Sequence, residues 1–163
     1  MNLPPYPSFP VLSSGVVTLR QVLPADSNSL FEISFYDARP AQNLTEAAEM
    51  QEKINADYQR GTSIHWAIVS AATAEVAGTV GYYRGFENGT GELGCVLKPA
   101  FRGQGLMREA MKLAIKFGLT EMQLTEILAV TTKQNVPANN LLEKLGFRKT
   151  VYLPDGELVY RYS

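Results

Sequence analysis

The chain has 163 residues, with 15 basic and 16 acidic side chains, a formal net charge of -1 and 45% hydrophobic residues. That is one domain's worth of chain, long enough to bury a core, and its composition excludes global disorder and fibrous repeats. The near-neutral balance argues against a general nucleic-acid binder, while a single cysteine, Cys95, and a single histidine, His65, exclude a disulfide framework and point to no metal site.

The opening MNLPPYPSFP lacks the basic and apolar regions of a secretory signal, and no apolar run reaches the roughly 20 residues of a membrane span. A cytoplasmic protein without membrane partners is expected. Pro4, Pro5, Pro7 and Pro10 fix φ and remove donors, which predicts an extended surface arm over residues 1–15 ahead of a single domain over 16–163. Val16 to Arg20 reads as a first strand after the Ser13-Ser14-Gly15 turn. Pro24 and Asp26 open a predicted helix with apolar positions at Leu30, Phe31, Ile33 and Phe35. A second helix is expected from Thr45, with Glu46 and Glu49 suited to its positive end, to near Gly61.

Three strands follow, Ile64 to Ser70, Val76 to Tyr83 and Thr90 to Leu97, the last two joined by a Glu87-Asn88-Gly89 hairpin signal. After Pro99 the period changes. Met107, Ala110, Met111, Ala114, Ile115 and Gly118 fall on one helical face, with Arg108, Glu109, Lys112 and Lys116 on a face expected to be solvated. Leu124 to Thr131 reads as a strand covered on both faces. A last helix runs from about Pro137 to Leu145 and stops at Gly146. Val151 to Leu153 and Glu157 to Tyr160 then pair across Pro154-Asp155-Gly156.

The most informative segment joins the fourth strand to the long helix: Glu92-Leu-Gly-Cys-Val-Leu-Lys-Pro-Ala-Phe-Arg-Gly-Gln-Gly-Leu-Met-Arg-Glu-Ala110. The N–H groups from Gly103 through Gln104, Gly105 and Leu106 to Met107 have no partner within the helix, and its dipole makes that end positive. A pyrophosphate placed there meets little obstruction, and Arg102 adds charge. A plain glycine-rich helix start is the competing reading. No Gly-Lys-Ser or Gly-Lys-Thr follows, and the G-x-G-x-x-G spacing fails, so neither common nucleotide-binding motif is present.

Arg102-Gly-Gln-Gly-Leu-Met107 resembles the pyrophosphate loop of the GNAT superfamily of acetyl-CoA-dependent N-acetyltransferases. Gly105-Leu-Met-Arg-Glu-Ala110 is similar to the helix start of its ribosomal-protein N-terminal acetyltransferase branch. Thr18-Leu-Arg20 with Asp26, Gly91-Glu-Leu-Gly94, Asn135 and Glu143-Lys-Leu-Gly-Phe147 complete the resemblance, which spans about Val16 to Phe147. It implies an α+β GNAT fold: a mixed, mostly antiparallel sheet of six to seven strands, about four helices, and a fourth strand splayed from the fifth. The splay would admit the pantetheine arm of acetyl-CoA against backbone groups of Cys95, Val96 and Leu97, with Asn135 near the pantetheine or the adenosine-side wall of the cleft.

Acetyl transfer to a primary amine, on a peptide N-terminus or a small molecule, needs the free base, a polarised carbonyl and a leaving thiolate. Glu92 is the candidate general base, through water; a strand-edge carboxylate paired with Arg84 is the alternative. A backbone N–H of Val96 or Leu97 would stabilise the oxyanion. The tyrosine acid of many family members is replaced by Leu142, and the branch's serine by Ala138. Tyr82, Tyr83 and Tyr152 are possible substitutes or packed strand residues. His65 reads as a structural histidine and Cys95 as a small hydrophobe. Glu32, Asp37, Glu46, Glu49 and Glu52 could attract a cationic amine or simply be solvated. A CoA-binding sensor without catalysis is the rival to an enzyme, and monomer and homodimer both remain open.

Overall fold

The computed structural model describes residues 1–163. Strand β1, Leu12–Ser13, folds back on β2, Val17–Gln21, because Ser14 donates its N–H to Val17 and turns the chain. The helix expected after Pro24 is instead three short turns. These are a 3-10 turn at Pro24–Asp26, helix α1 at Ser27–Leu30 and a second 3-10 turn at Phe31–Ile33. Ser27-Asn28-Ser29 is a poor helix run, and the Ser34 hydroxyl closes it by donating to the Leu30 carbonyl at 2.7 Å. A hairpin follows, β3 Phe35–Tyr36 and β4 Arg39–Pro40, turned by Asp37 and Ala38 at φ of 52° and 61°.

Helix α2 is Leu44–Gln59, one residue longer at its start than predicted. Asn43 caps it, accepting the Glu46 N–H at 2.8 Å while the Glu46 carboxylate accepts the Gln42 N–H at 3.1 Å. Strands β5 Ile64–Ser70, β6 Val76–Tyr83 and β7 Thr90–Leu97 match the predicted runs residue for residue. Helix α3, Leu106–Thr120, is followed by β8 Glu126–Thr132, α4 Val136–Lys144, β9 Arg148–Tyr152 and β10 Glu157–Tyr162. No helix is long and apolar enough to cross a membrane.

The sheet order is β1-β2-β5-β6-β7-β8-β10-β9, antiparallel except for β7 with β8. Eight strands therefore replace the expected six to seven; the added one, β1, lies in the segment read as an arm. That segment is a strap: Leu3, Tyr6, Phe9 and Leu12 pack on the main core, and the buried Trp66 indole donates to the Pro10 carbonyl at 2.9 Å. Burial of such apolar surface is the main favourable term holding the segment down.

The core lies between the sheet and α3. Alternate strand residues Trp66, Val80, Tyr82 and Leu93 meet Ala110, Ala114 and Phe117 of the helix's apolar stripe. The Tyr82 hydroxyl donates to the Ala114 carbonyl at 2.9 Å. On the other face, α1 and α2 cover a smaller cluster of Val22, Leu30, Ile33, Ala67 and Val76. The Arg20 guanidinium pins the start of this layer by bidentate bonds to Asp26, at 2.7 and 3.0 Å.

Candidate functional site

Strands β7 and β8 pair over only three positions, ending with Glu92 opposite Leu128. Both strands continue beyond that point, so they diverge and open a wedge. β7 stays paired to β6 as far as Leu97 opposite Gly78. Its free edge from Leu93 to Leu97 thus turns alternate backbone polar groups towards the wedge. Cys95, Val96 and Leu97 all lie on this edge. The expected covering of β8 on both faces is also corrected. Ile127 and Ala129 are covered in the main core, whereas Leu128 and Val130, on the other face, stay half-buried.

At the end of β7 a 3-10 turn, Pro99–Phe101, seats Phe101 in the core and releases the chain into the glycine loop. Gly103 and Gly105 have φ of 75° and 78°, and a Cβ on either would meet nothing within 4 Å. The backbone conformation, not crowding by the protein, requires glycine there. No backbone N–H from Gly103 to Arg108 finds a backbone acceptor, and the helix ladder starts only with Glu109 donating to Gly105. These donors converge on the positive end of α3, an arrangement suited to an anion. Arg102 is exposed beside them. The Gln104 amide donates back to the Ala100 carbonyl at 3.2 Å and stiffens the loop. Leu106 is buried and Met107 half-buried, so both offer the site only their backbone. Arg108, Lys112 and Lys116 are gathered with Lys144 around a groove of about 420 Å³, where simple solvation was expected.

The opposite face of the sheet holds a cavity of about 240 Å³ roofed by α1 and α2. Cross-strand register sets its floor in rows. His65, Gly81 and Gly94 stand side by side, and Tyr83 stands beside Glu92 in the next row. The two glycines make room for the Tyr83 ring, which leans over them: a Cβ on Gly94 would lie 3.1 Å from its Cε2, and one on Gly81 3.2 Å from its hydroxyl. Of the three tyrosines considered as acids, only Tyr83 borders this site. Tyr82 is committed to Ala114, and Tyr152 lies exposed on the outer edge strand. The Tyr83 hydroxyl lies over Gly81, with the His65 ring 5.6 Å from the Tyr83 ring and Cys95 near enough to act on its ionisation. Burial raises its pKa, so it stays protonated.

Glu92 is half-buried where the wedge begins, and its Oε1 lies 3.7 Å from Arg84 Nη1. It lines an open vestibule with Asp37, Asp57 and Glu87, which joins the cavity through Phe35, Ile54 and Tyr83. Burial depresses the His65 pKa to about 4, and its Nδ1 is buried without a partner. Burial likewise pushes the Cys95 thiol up to about 12, which removes it as a nucleophile at neutral pH.

Asn135 caps α4, accepting the Ala138 N–H at 3.3 Å. The sequence reading missed its neighbour Asn139. That side chain donates to the Asn135 carbonyl at 2.9 Å and accepts the Tyr160 hydroxyl at 2.8 Å, tying α4 to β10. Leu142 is buried in the core and provides no acid.

A splayed strand pair beside a glycine loop at a helix N-terminus is an arrangement suited to an acyl-CoA, and the sequence comparisons define the class. Residues 17–148 match the model of the acetyltransferase (GNAT) domain, and the chain belongs to that family of N-acetyltransferases, which uses acetyl-CoA. It is 28% identical over 149 residues to the Bacillus subtilis (strain 168) protein named uncharacterized N-acetyltransferase YoaA, covering 86% of this chain and 84% of that one. The Bacillus licheniformis protein named uncharacterized N-acetyltransferase p20 is 32% identical over 124 residues, 76% of this chain and 70% of its own. The fold is also that of Mycobacterium smegmatis RimJ, solved in complex with CoA-disulfide, with a TM-score of 0.80, 19% identity and coverage of 94% and 86%.

Proposed function

We propose that the wedge and the glycine loop hold acetyl-CoA while a primary amine, entering from the vestibule, takes the acetyl group by direct attack. The observation that carries this reading is that β7–β8 pairing ends at Glu92, so one residue stands both at the mouth of the wedge and on the wall of the acceptor space. The residues fit the co-substrate. Unpaired N–H groups from Gly103 to Arg108, with Arg102, suit its pyrophosphate, and the free β7 edge at Cys95, Val96 and Leu97 suits its amide-bearing arm. Asn135 acts by holding the start of α4 beside the wedge.

Bound acetyl-CoA supplies an activated acyl group on a thiol of pKa about 8.5, a tolerable leaving group. Glu92 accepts the proton of the incoming amine through water as the N–C bond forms and the C–S bond breaks. A backbone N–H of Val96 or Leu97 meets the oxygen that gains charge. An α-amine of pKa about 8 needs less help than a lysine-like amine near 10.4. Much of the acceleration comes from holding both reactants in one cleft, which can be worth about 7 kcal/mol or more.

The buried Leu142 and the Ala138 side chain favour a second reading, a CoA-binding sensor, since α4 supplies no acid. Thiol release from acetyl-CoA across a panel of amines and N-terminal peptides separates the two. The enzyme gives amine-dependent release with an acetylated product. The sensor shows thermal stabilisation by acetyl-CoA, about 2.7 kcal/mol at a hundredfold excess over Kd, and no release with any amine.

A further inference from the structure

The vestibule lined by Glu92 and the inner cavity share the walls formed by Phe35, Asp37, Ile54 and Tyr83. Outward lies the vestibule, with Asp37, Asp57 and Glu87 on its walls. Inward lies the cavity of about 240 Å³, walled by Val22, Leu30, Ile33, Ala47, Met50 and Ile54. A dry apolar cavity of about 150 Å³ already accommodates a benzene ring, so the inner space takes a side chain as large as leucine, methionine or phenylalanine. It carries little that would receive a charge. His65 on its floor is neutral at pH 7, because burial holds its pKa near 4, and Tyr83 beside it stays protonated. Asp37 at the mouth is the one carboxylate among the lining residues.

The floor has a second property. Ser63 Oγ, just before β5, and His65 Nδ1 on that strand are buried and unpartnered, Ser63 beside the vestibule and His65 beside the cavity. Such unmade hydrogen bonds are costly in a fold that otherwise pairs its buried polar groups.

Resting on the acetyl-transfer reading, we infer that the acceptor is branched at the carbon bearing its amine, with a mid-sized uncharged apolar group in the inner cavity and a polar chain leaving through the vestibule past Ser63. An amino-acid or peptide α-amine whose first side chain is leucine, methionine or phenylalanine has this shape. A linear polyamine does not: it can follow one of the two paths and leaves the other empty, and its second ammonium would lose solvation among the apolar walls.

The test compares kcat/KM for peptides that differ only in the first residue, Leu, Met or Phe against Gly, Ser, Asp or Lys, with spermidine and isoamylamine as further acceptors. A pocket of this kind discriminates by about tenfold or more per missing group. The apolar-first peptides should therefore lead by at least that factor, with isoamylamine, which lacks the branch, well below them. Ala47→Met and Ile54→Phe, two independent ways of filling the cavity, should each erase the lead. Because His65 is the only histidine, its ring resonances report the cavity without any turnover: Leu-first peptide should shift them and spermidine should not. Equal rates for spermidine or Ser-first peptide would overturn the inference and leave acetyl transfer standing. No transfer to any amine would instead overturn the acetyl-transfer reading, and an unmoved His65 signal with Leu-first peptide would overturn the pocket assignment on its own.

Discussion

The Tyr83 ring lies against Gly94 so closely that a Cβ on the glycine would stand 3.1 Å from its Cε2. Gly94→Ala therefore pushes the ring a few tenths of an ångström towards the acceptor cavity and costs about 1 to 2 kcal/mol of stability. The acceptor KM should rise while CoA affinity holds, because the side chain of Gly94 would stand on the face away from α3. Urea unfolding and steady-state kinetics check this, and in a Tyr83→Ala background the cost should disappear, giving a clear coupling term in a double-mutant cycle.

Gly105 caps α3 at φ 78° with open space beside it. Gly105→Val is expected to leave the chain folded, at a cost of about 1 to 2 kcal/mol for a left-handed β-branched residue. It should raise the CoA Kd by about tenfold or more, since the added methyls stand where the pyrophosphate would approach the N–H groups. Calorimetric titration with CoA decides the matter, and retained affinity removes the loop assignment.

The buried imidazole of His65 makes stability depend on pH. Its folded pKa, near 4, lies below the unfolded value of 6.5, so the unfolded chain takes up a proton first as the pH falls. The contribution is complete above about pH 6.5 and is lost progressively down to about pH 4, by up to about 3 kcal/mol. The groups nearest the ring do not cancel it: Tyr83 stays protonated throughout this range, and Asp37 stands at the cavity mouth. Urea midpoints at pH 7, 6, 5 and 4.5 should fall in the wild type and flatten over this window in His65→Asn. The Asp26 carboxylate, which burial destabilises but the Arg20 and Leu23 bonds hold below the usual range, is lost only at lower pH.

Glu92 and Arg84 form a loose pair at 3.7 Å with Arg84 74% exposed, and pairs of that kind contribute little. Arg84→Ala should thus leave the pH–rate profile nearly unchanged. Glu92→Gln should lower kcat/KM by about 10²-fold, most strongly at low pH where free amine is scarce. A profile identical to wild type would remove the base role from Glu92 and return it to a strand-edge carboxylate.

Runs of strand-forming residues bounded by turn signals were enough to place β5, β6 and β7, although the bulge at Ile68/Val69 was not visible in them. The loop from Arg102 to Met107 was readable because its positive φ values demand glycine. Three features were not readable, the first because competing local side-chain bonds outweigh the helix pattern, the other two because they rest on contacts distant in sequence. The Pro24 segment broke into short turns under the pull of Arg20 and the Ser34 cap. The proline-rich strap was held by Trp66 and the core aromatics, which no local pattern announces. His65 looked structural on its own. Only the cross-strand row with Gly81 and Gly94, and the turns laid over it, make it the floor of a cavity. Asn139 had one faint signal, its place one helical turn after the capping Asn135.

The backbone donors of the loop and the wedge carry the proposed CoA site. Amide hydrogen exchange with and without acetyl-CoA reads them directly, because N–H groups without partners exchange freely until a ligand accepts from them. The prediction is slowed exchange from Gly103 to Arg108 and at alternate amides between Leu93 and Leu97, with β9 and the outer strands unchanged. Binding that leaves these amides exchanging at their free rate would contradict it.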